Sequence, residues 1–173
     1  FRSRFENFVL EDNRVYNSFI DSKGGLWIGT WGGGLILFSR EDYSSRVFTT
    51  DTQYGITNNI AYSFLEDSSG ILWVGTNGGG VNKLVDWKNR FAFHEYDPDD
   101  PHSITDGKIS RICEDKNGTL WYGSYNNGVN RLDEETEKFY RYSHDPEDPS
   151  TISNDIVNSI LHDSRGNLLF ATN

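Results

Sequence analysis

Apolar residues fall along this chain in short bursts bounded by glycine turns, and the bursts are too brief for helices. Residues 60–66 (IAYSFLE) read as a strand that ends at Asp67. Residues 67–70 (DSSG) read as a turn, with Asp67 able to accept backbone N–H groups two residues on and Gly70 free to take a positive φ. Residues 71–76 (ILWVGT) form a second strand, apolar at successive positions, and residues 77–80 (NGGG) turn the chain again. Residues 81–85 (VNKLV) and 90–96 (RFAFHEY) supply a third and a fourth strand. Leu72, Trp73 and Val74 put apolar groups on both faces of the second strand, so its sheet is covered on both sides. No stretch sustains helical periodicity.

This text recurs. It reads DSKGGLWIGT from Asp21, DSSGILWVGT from Asp67, DKNGTLWYGS from Asp115 and DSRGNLLFAT from Asp163, with the aspartates 46, 48 and 48 positions apart. A fixed period of this length, written in strands and glycine turns, predicts radially repeated β-structure, and four strands per period make a propeller blade. A solenoid of stacked strands competes, but its repeats are shorter. The expected fold is all-β: a partial β-propeller over 1–173 holding about 3.6 four-stranded blades of a seven-bladed ring. Repeat cores fall at 13–58, 59–106, 107–154 and 155–173, and residues 1–12 read as the tail of a preceding blade. The chain therefore reads as a segment of a longer protein. End blades of an open fan expose apolar faces and unpaired edges. Two copies would supply about 7.2 repeats, so the expected partners are a second copy, head to tail in a completed ring, or the rest of the parent propeller.

Columns that repeat carry scaffold, whereas columns that vary among matched copies are where a site can be written. Trp27, Trp73 and Trp121 share a column that Leu169 fills in the fourth copy, and with Asp21, Asp67, Asp115 and Asp163 they read as packing and turn residues. Directly after Gly-Thr or Gly-Ser the column varies: Trp31, Asn77, Tyr125. Asn126 and Asn127 replace the glycines at 32–33 and 78–79, and on the first strand Asn17, Ser63, Arg111 and Ser159 share another varied column. The loop between second and third strands and the connector between blades emerge on one side, so these residues define a face. Aromatic rings beside amides suit a sugar-like ligand, whose apolar faces stack while its hydroxyls find polar partners. Trp31, Asn77, Tyr125, Asn126 and Arg111 are the candidate binding residues; packing of Trp31 and Tyr125 on neighbouring loops, and pairing of Arg111 with a nearby acid, are the plainer alternatives.

Composition removes other classes. Net charge is −10, from 16 basic and 26 acidic residues with no basic cluster, which argues against nucleic acid and anionic membrane surfaces. Cys113, the single cysteine, matches Phe19, Leu65 and Leu161 and reads as a packing thiol. His94, His102, His144 and His162 are scattered, without metal-ligand spacing. The acids of two matching connectors, DPDDPHSITDG from Asp97 and DPEDPSTISND from Asp145, invite Ca²⁺, but their spacing is not that of a calcium loop and an exposed turn is the default. No cofactor and no catalytic residue is assigned, since no nucleophile elbow, phosphate loop or dinucleotide fingerprint occurs.

The phrase D-x-x-G-x-L-W-x-G-T followed by glycines resembles the two-component regulator propeller repeat, carried by Asp67, Gly70, Leu72, Trp73, Gly75, Thr76 and Gly78 to Gly80 and by the copies at Asp21 and Asp115. The fourth copy departs, with Leu169 for Trp and Ala171 for Gly. The resemblance implies a non-catalytic, periplasmic or extracytoplasmic sensor region of a bacterial receptor: a histidine kinase, a hybrid two-component protein or a diguanylate cyclase. Such regions form seven-bladed propellers, often two in tandem, ahead of a further β-domain and a transmembrane helix that anchors the parent, and their ligands are often oligosaccharides. Two rivals belong to other classes. One is a propeller that only scaffolds protein interactions; the other is a propeller glycosidase or lyase, although the Asp-box of sialidase-like folds places its glycine one residue earlier than here.

Overall fold

The computed structural model describes residues 14–85 and 90–173, so the tail expected at 1–12 lies outside the described residues. Strands Val15–Ile20 (β1), Leu26–Thr30 (β2), Leu35–Phe38 (β3) and Ser45–Phe48 (β4) form one antiparallel sheet in chain order. Ala61–Glu66 (β5), Leu72–Thr76 (β6), Val81–Leu84 (β7) and Phe91–His94 (β8) form the second. Ile109–Glu114 (β9), Leu120–Ser124 (β10), Val129–Asp133 (β11) and Lys138–Tyr142 (β12) form the third, and Val157–His162 (β13) pairs with Leu168–Thr172 (β14) in a fourth, two-stranded sheet. Each sheet is a blade of an open fan. The strands read at 60–66, 71–76, 81–85 and 90–96 lie within one or two residues of β5 to β8. The first strands β1, β5, β9 and β13 pack on one another from blade to blade, which makes them the inner edge.

The turn between first and second strands explains the repeated aspartate. Asp67 Oδ1 accepts N–H from Ser69 at 3.0 Å and Ile71 at 2.9 Å, while Oδ2 accepts the Trp73 indole N–H at 2.7 Å. Asp21 treats Lys23, Gly25 and Trp27 alike, and Asp115 treats Asn117, Thr119 and Trp121 alike. One carboxylate thus closes the turn and satisfies the only polar atom of an indole pressed into the core. In the fourth copy, which lacks the tryptophan, Asn167 Nδ2 donates to Asp163 Oδ2 instead, at 2.9 Å. Burial raises the Asp115 carboxyl, but the bonds from Trp121, Asn117 and Thr119 outweigh it and leave the group below its ordinary value. A second clasp joins blades at the same end. Ser22 donates its N–H and hydroxyl to the Glu66 carboxylate at 2.7 and 2.6 Å, and Ser68 engages Glu114 in the same way.

Packing between blades explains the glycine of Trp-x-Gly-Thr. A Cβ on Gly29 would lie 2.5 Å from the Ala61 carbonyl oxygen, and one on Gly75 would lie 2.9 Å from both Cγ2 and the carbonyl oxygen of Ile109, so the inner strand of the next blade approaches only because no side chain intervenes. Gly34, Gly80 and Gly128 meet a second requirement: each has positive φ, and a side chain would strike the last residues of the fourth strand. Trp27 and Trp73 are fully buried in the two large cores, Trp27 against Phe48 of its own blade and Phe91 of the following one, and Trp73 against Tyr122 of the following blade. Trp121 is half-buried, packed on Tyr142 and Phe170, and Leu169 is 53% exposed. The column is constant, but its burial depends on the blade that follows. Cys113 is half-buried in the small core with Trp121, Val157 and Ile160, and burial raises its thiol pKa, the nearby Asp115 and Glu114 adding to this.

Candidate functional site

The opposite end of the blades differs from copy to copy. Each first strand carries a β-bulge there: Val15 pairs with Thr30 but Asn17 with Gly29, Ala61 with Thr76 but Ser63 with Gly75, Ile109 with Ser124 but Arg111 with Gly123, and Val157 with Thr172 but Ser159 with Ala171. The extra residue is Tyr16, Tyr62, Ser110 and Asn158 in turn. A bulge re-aims its side chain out of the regular alternation. Here it aims two tyrosines at the loop that follows β2. Tyr16 stacks on Trp31 (centroids 5.4 Å, interplanar angle 25°), Tyr62 meets Tyr16 edge-on at 4.2 Å, and Trp31 meets Tyr62 edge-on at 6.0 Å. Where the bulge residue is Ser110 its hydroxyl stays inside, donating to the carbonyls of Val157 (2.6 Å) and Gly123 (3.1 Å).

Loop and connector are tied together on this side. Trp31 bridges to Ile60 and Asn77 to Lys108; Gly34 N–H donates to Asn59 O, Gly78 N–H to Gly107 O, and Gly128 N–H to Asp155 O. Connectors are held by a buried amide: Asn82 exchanges hydrogen bonds with Thr57, and Asn130 with Thr105, each pair at 3.0 Å or less. The side that sequence geometry assigns to the second-to-third loop and the connector is therefore one continuous surface.

Lys108, at the end of such a connector, completes the cluster. Its Nζ lies 4.2 Å from the Tyr62 ring centroid, 4.3 Å from that of Tyr125 and 6.0 Å from that of Tyr16. Three phenol rings from three blades thus surround one ammonium. Tyr62 is only 5% exposed, and burial, with the Tyr16 hydroxyl next to it, raises its phenol pKa well above the ordinary value. The other rings are partly wet: Trp31 is 36% exposed, Tyr16 48% and Tyr125 43%. Beside them, Tyr16, Asn17, Tyr62, Ser63 and Arg111 line a cavity of about 280 Å³ on the inner edge.

Of the five candidate residues, the structure brings Trp31, Tyr125 and Arg111 around Tyr16 and Tyr62. Asn77 is half-buried on the Lys108 connector. Asn126 is exposed at the tip of its loop, its N–H bonded to Ser124 Oγ at 3.3 Å. Arg111 is exposed, and its Nη1 donates to its neighbour's carbonyl, Ser110 O, at 2.7 Å. Sequence reading missed Tyr16, Tyr62 and Lys108, although the signal was present: they vary in columns beside those singled out, and Lys108 stands where other copies have Arg14, Ile60 and Ile156. The connector acids bind their own backbone, Asp97 Oδ1 accepting Asp99 N–H and Asp100 Oδ1 accepting His102 N–H. Among the described residues, no group of three or more His, Cys, Asp or Glu is arranged to hold a metal ion.

Comparison with known proteins places this architecture. The sequence profile of the two-component regulator propeller matches residues 9–32, 55–78 and 103–126. No curated protein sequence matches the chain. Among solved structures, the extracellular domain named for one hybrid two-component system of B. thetaiotaomicron superposes with a TM-score of 0.80 at 22% identity, over 94% of this chain and 22% of that one. A second such domain from the same organism gives 0.77 at 20% identity, over 97% of this chain and 21% of that one. The virginiamycin B lyase of Staphylococcus aureus gives 0.64 at 17% identity, over 91% of this chain and 48% of that one. The chain thus spans about a fifth of the two-component domains it resembles, and at these identities the likeness establishes the propeller fold. Three of its four repeat copies thus match the two-component regulator propeller profile, and the copy from Asp163 does not.

Proposed function

We propose that the chain is a non-catalytic ligand-binding segment of the extracytoplasmic sensor propeller of a bacterial two-component receptor, and that its ligand is an oligosaccharide. The single observation that carries the reading is the aromatic cluster. Copies that share one Asp-turn at one end place Tyr16, Trp31, Tyr62 and Tyr125 together at the other, with three of the four rings partly exposed. Sugar rings offer C–H faces to such a surface and hydroxyls to the Asn17, Asn77 and Asn126 amides. The matched repeats, and the extracellular domains of two-component systems among the structural neighbours, support the receptor context and the extracytoplasmic location. Further blades, from the parent or from a second copy, cover the end faces that expose Leu161 and Leu169 at one side and Ile20 at the other. Ligand then biases the geometry of a receptor dimer, which requires only that it bind one arrangement more tightly than another.

The test is a glycan array on the full-length protein, followed by titration of any hit against Trp31→Ala and Tyr16→Ala. Binding that falls about tenfold or more in both variants supports the reading, a stacked ring contributing on the order of 1.4 kcal/mol. Binding unchanged in both moves the site elsewhere. A protein partner captured on this face in place of any glycan favours the scaffold.

A further inference from the structure

Resting on the saccharide reading above, a second property of the same face narrows the ligand. The chain is strongly acidic at −10, yet two cations stand beside Tyr62. Lys108 Nζ lies over its ring at 4.2 Å and Arg111 shares the inner-edge cavity with it. Lys108 has aromatic rings around it, and Arg111 bonds to a backbone carbonyl; among the described residues neither forms an ion pair with a carboxylate. The acids on the adjoining connectors are already engaged: Asp106 Oδ1 accepts Gly107 N–H at 2.6 Å, and Asp155 Oδ1 accepts His144 N–H at 2.7 Å.

The repeat shows that blade geometry requires neither cation. The Lys108 column holds Arg14, Ile60 and Ile156 in the other copies, and the Arg111 column holds Asn17, Ser63 and Ser159. The hydroxyl of Ser63 meets the structural need at its position by donating to Ile109 O at 3.1 Å. A lysine held between phenol faces presents its ammonium in a fixed place. An arginine on the rim of a cleft adds a planar, two-pronged donor that matches a carboxylate or sulfate. Neutral sugars need neither group.

We infer that the face takes an acidic saccharide, with a carboxylate or sulfate held beside Tyr62 by Lys108 and Arg111 while neighbouring sugar rings lie on Trp31 and Tyr16. The positive spot on a negative surface also sets selectivity, since polyanions that cannot stack are repelled elsewhere on the chain.

Paired probes on the full-length protein test this: oligogalacturonate, a hyaluronan fragment and a chondroitin sulfate fragment, each beside its carboxyl-reduced or desulfated counterpart, with inorganic sulfate as the bare anion. Expected is binding of at least one acidic member, weakened about tenfold or more in its neutralised counterpart and in Lys108→Gln plus Arg111→Gln, and weakened by added salt. In Trp31→Ala both members of the pair lose affinity. Equal binding of acidic and neutral members overturns this inference and leaves the saccharide reading intact. Binding of sulfate alone, or failure of every acidic probe, overturns it as well. Thermal unfolding of the glutamine variants is measured alongside; both positions tolerate uncharged residues in other copies, so an unchanged midpoint is expected.

Discussion

At one end of the blades the turn between first and second strands is the same object in every copy; at the other, the side chains on the bulge and the loop differ from copy to copy. At the repeated end, Asp21, Asp67 and Asp115 each bind two backbone N–H groups and one indole, and even the fourth copy replaces its missing indole with Asn167. At the varied end, the same bulge carries Tyr16, Tyr62, Ser110 and Asn158, and the same loop starts with Trp31, Asn77 and Tyr125. Identical backbones thus support constant side chains where the fold needs them and variable ones where it does not. Stability is expected to respond at the first end and binding at the second.

The sharpest break of that comparison is Asp67→Ala. It strands the buried Trp73 indole N–H and two turn amides, and a loss of about 3 kcal/mol is expected in urea unfolding. A loss below about 0.5 kcal/mol would mean that the turn is held by Gly70 and the strand ladder alone. Next is Trp31→Ala at the varied end, where ligand affinity drops about tenfold while stability changes by less than about 1 kcal/mol, because the ring is partly exposed and wedged into no core. A larger stability loss would reclassify the aromatic cluster as packing.

Tyr122→Phe sharpens the comparison inside the blades. The Tyr122 hydroxyl is fully buried, has no hydrogen-bond partner among the described residues and takes the column of Ile28 and Val74, so its removal is expected to be neutral or to stabilise by up to about 1 kcal/mol. A destabilised variant would reveal a partner for that oxygen. The smallest effect is acid sensitivity. The Asp115 carboxyl sits below its ordinary value once its hydrogen bonds outweigh burial, and Asp163 does so through the Asn167 amide and N–H. Groups with depressed folded pKa values add stability that is present above about 3.9 and disappears as pH falls through the lower folded value. Denaturation midpoints should therefore fall below about pH 4, and less so in Asp115→Asn.

Much of the scaffold was legible because its causes are local. An aspartate two and four residues before turn amides, a glycine at positive φ and a tryptophan six residues on form one short-range device, and its recurrence at 46 and 48 positions announces the blade. The near agreement of the strand bounds in the second copy has the same origin. Burial of the tryptophan column was less legible, since Trp73 and Leu169 occupy equivalent positions and differ mainly in whether a blade packs over them.

The sequence by itself determined the fold, the blade period and the side on which variation gathers, because each follows from hydrogen bonds and sterics within a few residues. Only the tertiary structure decided that Tyr16 and Tyr62 leave the inner strand for the loop side, and that Lys108 lies between Tyr62 and Tyr125. A β-bulge leaves no mark that a pattern of alternation can show, and three blades meet at that lysine across separations no local rule spans.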